Sequence, residues 1–223
     1  MSMTMTADIP LPGLDRLMEV YRKYGLHMEA LPPGRSPPEA GAPVAGYPFD
    51  PVLAAVYRRL GRADFGGQFG GQLFLSWVDD QHNGIALRTE QFREEEEPFR
   101  SSVFFGNIPG LAYYFAVVPK LADERGRQPV VFIDAYMDRY VLPIASDVDH
   151  LFDALSHFVD MLVVDQGYLF DGMPGIHFPT SVPELIARDR RLVEMIATGR
   201  FDFIMNLGDE FQDWLARVKS ARG

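Results

Sequence analysis

The sequence predicts an α+β protein: a mostly antiparallel central sheet flanked by helices, with a helical C-terminal extension. Three observations carry that expectation. Helix-period and strand-period segments are segregated along the chain rather than alternating. The strand-like runs between Gln72 and Leu142 are joined by connections too short for parallel crossovers, which need a dozen or more residues and usually a helix. The 223 residues are 47% hydrophobic and include no cysteine, so a sizeable core must form without disulfides or thiolate-bound metal.

Leu14, Leu17, Met18 and Tyr21 recur at helical spacing and predict a first helix that buries one face and stops at Gly25. Leu31 to Pro48 contains Pro32, Pro33, Pro37, Pro38, Pro43 and Pro48, which block both helix and ladder bonding and predict an extended connector. Asp50 before Pro51 is a good N-cap and first-turn pair. It opens a second helix, with Val52, Leu53, Val56, Tyr57 and Leu60 inward and Gly61 at its end.

From Gln72 the period changes. Leu73, Leu75 and Trp77 alternate with Phe74, Ser76 and Val78 in a strand buried largely on both sides. Asp79 to Gly84 is expected to turn, with Asn83-Gly84 as a hairpin tip and a second strand over Ile85 to Arg88. Further strands are expected around Ser102 to Phe105, Leu111 to Val118, Pro129 to Asp134 and Tyr140 to Leu142. Leu111 to Val118 is apolar on both alternating faces, which makes it a central strand covered on both sides.

Ser146 is expected to cap the next helix, with Asp149 at N3 and Val148, Leu151, Phe152, Leu155, Phe158, Val159 and Leu162 as its apolar face. Gly167 to Pro179 reads as a loop. Ser181 and Glu184 form a second capping box, opening a helix through Ile186, Val193 and Ile196 that Gly199 breaks. A last helix presents Phe211, Trp214, Leu215 and Val218. The expected organisation is a helix and Pro-rich connector (1–48), an α+β core (49–164) and a helical extension packed on it (165–223).

Composition narrows the function classes. A net charge of −10 repels nucleic-acid phosphates and anionic lipid and attracts basic partners, although solubility alone also accounts for it. No stretch approaches the roughly 20 apolar residues that span a bilayer. The N-terminal run lacks a basic start and apolar core, so no secretory signal is expected. A cytoplasmic protein without nucleic-acid or membrane partners fits best.

Candidate chemistry is sparse. Phe65 to Gly71 (FGGQFGG) leads into a strand, not a helix, and lacks the lysine of a phosphate loop. Asp147, Asp149, His150, Asp153 and His157 make the most metal-like group, and His150, Asp153 and His157 share a helix side. That side lies opposite the apolar stripe, so a solvated face accounts for it. His27, His82 and His177 are scattered without a nucleophile elbow, and Asp79-Asp80 and Asp134-Asp138 belong in surface turns. No catalytic residue, metal or cofactor is expected. Tyr113, Tyr114, Tyr136 and Tyr140 with Phe104, Phe105 and Phe115 concentrate aromatics on adjacent strands; core packing is their default, with an exposed tyrosine or two as interface anchors. Lys120 and Arg139 are too few for an RNA-binding sheet.

The order of segments from Ser102 to Leu162 resembles the SUKH superfamily of bacterial immunity proteins and fungal cell-wall regulators. Gly106 and Gly110 look like its glycine turn, Ile144-Ala145-Ser146 like the lead-in to its closing helix, and Phe152 and Phe158 like that helix's packing residues. Phe49-Asp50-Pro51 stands where the family has a Leu-Pro pair. The resemblance implies a non-enzymatic binder that neutralises a cognate toxin domain, expected to be basic, or alternatively a regulatory scaffold. In that light the run Glu94, Glu95, Glu96 and Glu97, with Asp79 and Asp80, is the expected partner-docking patch.

Overall fold

The computed structural model describes residues 9–66, 73–77, 84–136, 140–171, 174–205 and 208–221. The elements in chain order are α1 (Pro12–Lys23), β1 (Met28–Leu31), β2 (Pro43–Val44), β3 (Tyr47–Pro48), α2 (Pro51–Arg59), β4 (Arg62–Phe65), β5 (Leu73–Ser76) and α3 (Ile85–Phe92). Then follow β6 (Val103–Asn107), β7 (Tyr113–Val117), β8 (Val130–Asp134), β9 (Val141–Ala145), α4 (Val148–Leu162), α5 (Gln166–Asp171), α6 (Pro183–Ile186), α7 (Arg190–Ala197) and α8 (Asp209–Ser220).

Seven strands form one antiparallel sheet in the order β1-β4-β5-β6-β7-β8-β9, and β2-β3 make a separate small hairpin. The α+β class is therefore right, and the sheet is antiparallel throughout. Its two faces are covered differently. Phe65 and Phe115 point toward α1, α4 and the segment at Phe178, through Tyr21, Phe152 and Phe178. Phe104 and Tyr114 point the other way and meet Phe92 of α3, with ring centroids 4.9 and 5.3 Å apart. Cover on both faces is what lets apolar runs such as β7 sit mid-sheet. Phe115, Ala116 and Val117 are buried, whereas Leu111, expected in this strand, precedes it and stands 53% exposed.

Helices α1 and α4 run parallel. Gly13 and Leu14 meet Asp149 at one end, Arg16 meets Asp153 midway, and Tyr24 meets Asp160 at the other. The close start depends on Gly13: a Cβ there would lie 2.1 Å from the Asp149 backbone oxygen. Gly106 plays a similar part in β6, where a Cβ would fall 2.7 Å from Leu73 Cδ1 beside the irregular register between Phe104 and Gly106.

Several expected elements differ. Ile85 to Arg88, read as a strand, is the first turn of α3; Ile85 and Thr89 are its buried pair, an i, i+4 spacing, and β5 pairs with β4 and β6 instead. Asn83 lies outside the described residues. Strands β1 and β4 were not expected: each has four residues, too short for a clear alternation, and they pair with each other in full register. Helix α5 occupies part of the expected loop from Gly167. The single helix expected after Ser181 is two, α6 and α7, because Asp189 accepts from Leu192 N and starts a new helix. Ser181 Oγ instead accepts from His177 N. The last helix packs back on the body through Trp214, whose indole donates to Pro179 O, and through Phe211 against Tyr140.

Candidate functional site

The four glutamates follow α3 in a turn that leads into β6. Glu94, Glu95, Glu96 and Glu97 are all exposed. What holds the turn is apolar: Phe92 and Phe99 pack on each other and on Phe104, so both of its flanks are fixed to the sheet. Polar contacts tie it to the neighbouring hairpin. Tyr47 donates to Arg100 O, Arg93 donates to Ala45 O, and the Arg93 guanidinium sits 5.8 Å over the Tyr47 ring. Ser101 Oγ donates to Glu97 Oε1 at 2.6 Å. The result is a rigidly based, solvent-facing concentration of negative charge. Asp79 and Asp80, expected to join it, lie outside the described residues.

On the other side of α3, Arg88 is drawn under the helix. It donates to Asn107 Oδ1 at 2.7 Å and lies 5.5 Å over the Tyr114 ring, and burial lowers its pKa. Thr89 Oγ1 accepts from Phe104 N. These contacts lock α3, and with it the acidic turn, onto β6.

The metal-like group resolves into helix caps and ion pairs. Ser146 was expected to cap α4; Asp147 does so, accepting from His150 N at 3.0 Å, while Ser146 N donates to Asp189. The side chain one residue later has the needed reach, and Ser146 is fully buried. Asp149 turns out of its own helix and accepts from Gly13 N and Leu14 N, capping α1 in trans. Asp153 and His157 both meet Arg16. That side stays partly solvent-exposed, with Arg16 of α1 reaching across to Asp153 and His157. Among the described residues no group of three or more potential ligands is placed to hold a metal ion.

Several titrations in the same neighbourhood are perturbed. Burial pushes the Asp50 carboxyl up to about 7, although Leu53 N and Gln128 N, at 2.8 and 2.7 Å, favour its charged form. His150 Nδ1 lies 2.8 Å from Asp147 Oδ1, and that hydrogen bond raises the imidazole to about 9. Burial opposes ionisation of Asp147, but His150 and Arg127, the latter 3.5 Å away, carry its pKa below the usual range. All four aspartates, Asp50, Asp147, Asp149 and Asp189, accept backbone N–H groups at helix starts. Burial and the local hydrogen bonds and charges account for the shifts of Asp50, Asp147 and Asp149, and all four carboxylates serve as supports for helix starts.

The remaining expected residues are dispersed. His27 and His177 are exposed and His82 lies outside the described residues. Asp134 accepts from Tyr136 N; Asp138 lies outside. Phe65 ends β4, and the glycines from Gly67 lie outside. Of the strand aromatics, Phe104, Phe105 and Phe115 are core, and Tyr136 is 74% exposed beside Leu111, the two loops joined by Ala135 N to Ala112 O. No described helix is long and apolar enough to cross a membrane. No family model and no curated protein matches this chain.

Proposed function

We propose that this chain is a non-enzymatic binder of the immunity type, acting in the cytoplasm, which neutralises a toxin by capturing its basic domain through protein–protein contact. The acidic turn carries the proposal: four consecutive exposed glutamates on a base fixed by Phe92, Phe99 and Arg88. A preordered charged surface on a molecule of net charge −10 accelerates encounter with a cationic partner more than it deepens final affinity. The SUKH-like order of segments supports the same role.

The test uses the product of the coding sequence adjacent to this gene. Co-expression should relieve its toxicity, and the two proteins should associate faster as salt is lowered, since screening acts beyond about 8 Å at physiological ionic strength. Replacing Glu94, Glu95, Glu96 and Glu97 with Gln should slow association several-fold and leave melting unchanged. Wild-type association by that variant would remove the turn as the docking element. Absence of both binding and relief would remove the immunity role.

A further inference from the structure

We propose that the cleft between the β7–β8 turn and helix α7 is a binding site for a small phosphomonoester that also carries hydroxyl groups, such as a sugar phosphate. The cleft has a volume of about 420 Å³ and is lined by Ala122, Asp123, Glu124, Arg125, Arg191 and Arg200. That volume falls within the roughly 300–1,000 Å³ of small-molecule sites. Three arginines thus share one concavity in a molecule whose net charge is −10. Cations gathered in one place repel each other, and an anion placed among them relieves that repulsion. None of these residues belongs to the acidic turn.

The frame of the cleft is fixed. The turn is closed by Asp123 N on Arg127 O and Gly126 N on Asp123 O, both at 2.9 Å. Asp123 Oδ1 accepts from Arg125 N and Arg127 N at 2.8 and 2.9 Å, and its Oδ2 lies 2.8 Å from Arg191 Nη1. Burial opposes ionisation of Asp123, but those hydrogen bonds and Arg191 carry its pKa below the usual range, so it stays charged and holds Arg191 in place. At the end of α7, Gly199 at φ 69° turns the chain, and Arg200 N bonds Met195 O at 3.0 Å. Asp123 engages only Arg191 of the three guanidiniums. Among the described residues, those of Arg125 and Arg200 have no acidic partner.

The donors and acceptors define the ligand. A guanidinium is a planar fork that meets phosphate oxygens in pairs, which suits the dianionic end of a phosphomonoester. Glu124 is exposed in the same cleft and can accept from a hydroxyl group. Three cationic groups against two carboxylates favour a single phosphoryl group over a polyanion, and the net charge of −10 repels nucleic acid.

Titration calorimetry of the full chain with ribose 5-phosphate, inorganic phosphate and ribose reads the outcome. Ribose 5-phosphate should bind with Kd on the order of 100 µM, inorganic phosphate roughly tenfold more weakly, and ribose not at all. Arg125→Gln/Arg200→Gln should melt like wild type and weaken ribose 5-phosphate by roughly tenfold or more. Glu124→Gln should narrow the preference for ribose 5-phosphate over inorganic phosphate. Arg188→Gln/Arg190→Gln, in a separate cavity beside α6, should bind as wild type does. The proposal is overturned if ribose 5-phosphate gives no heat up to about 10 mM. It is also overturned by binding that Arg125→Gln/Arg200→Gln leaves intact, or that Arg188→Gln/Arg190→Gln weakens equally. Inorganic phosphate binding as tightly as ribose 5-phosphate overturns the ligand class. Should the Gln variant unfold, Arg125→Lys/Arg200→Lys keeps the charge without the fork and carries the same outcomes.

Discussion

The two ends of the sheet are built on opposite principles. At the end marked by Val103, Val117, Val130 and Ala145, helices begin: α2 at Asp50, α4 at Asp147, α1 beside Asp149 and α7 at Asp189. Every one of those starts is closed by a carboxylate on backbone N–H groups. At the end marked by Asn107, Tyr113 and Asp134, α1 and α4 finish in parallel, and large apolar side chains face solvent on the loops and on α5. Helix N-termini concentrate orphan donors and positive dipole, so one end draws in acid groups and becomes a locked polar frame. The other end needs no such frame and leaves those side chains open to solvent. The acidic turn enters β6 at the locked end, which explains why it is held so firmly.

The contrast is broken most severely at Asp50. Asp50→Ala removes the acceptor for Leu53 N and buried Gln128 N, and should cost about 2–3 kcal/mol in urea unfolding. A cost below about 0.5 kcal/mol would mean that the cap contributes nothing. Asp149→Ala frees the first two donors of α1 and should cost about 1–2 kcal/mol, with amide exchange rising first at Gly13 and Leu14.

The locked end should also respond to pH. His150 has a folded pKa of about 9, above its ordinary 6.5, so the folded state binds its proton more tightly. Its stabilising contribution is complete below pH 6.5 and is lost as pH rises through 9. Melting temperature should therefore fall over that window, and His150→Gln should flatten the fall; a variant that follows the wild-type curve removes His150 from the account. At the open end, Leu169→Ser/Phe170→Ser should change unfolding free energy by less than about 0.5 kcal/mol, the smallest effect of the series. Replacing the four exposed glutamates by Gln belongs at the same low level for stability, with its consequence confined to association rate.

Legibility followed the range of the forces involved. Helices α1, α2, α4 and α8 were readable because their apolar stripes and, in α2, the Asp50-Pro51 start are local signals. Strands β6 to β8 were readable because apolar β-prone runs of five residues leave few alternatives. Strands β1 and β4 were not, since four residues give no clear local period and pairing with distant strands, β1 with β4 and β4 with β5, defines them. Helix α3 was misread because a short apolar run after an Asn-Gly pair favours a hairpin locally, and the burial of Ile85 and Thr89 that decides otherwise comes from β6. The exposure of the four glutamates matched their composition; the exposure of Leu169 and Phe170 had no signal, because both look like core residues in sequence.

By itself, the sequence determined the α+β class, the main helices, the central strands and the location of the acidic run, all of which depend on residues within a turn or two of each other. Tertiary structure alone decided that Asp149 caps a helix some 135 residues away in sequence, that Arg16 of α1 reaches Asp153 and His157, and that Phe170 stands 93% exposed. The reason is physical: hydrophobic period and capping are local preferences, whereas a buried carboxylate's partner and an apolar side chain's exposure depend on which distant element arrives beside it.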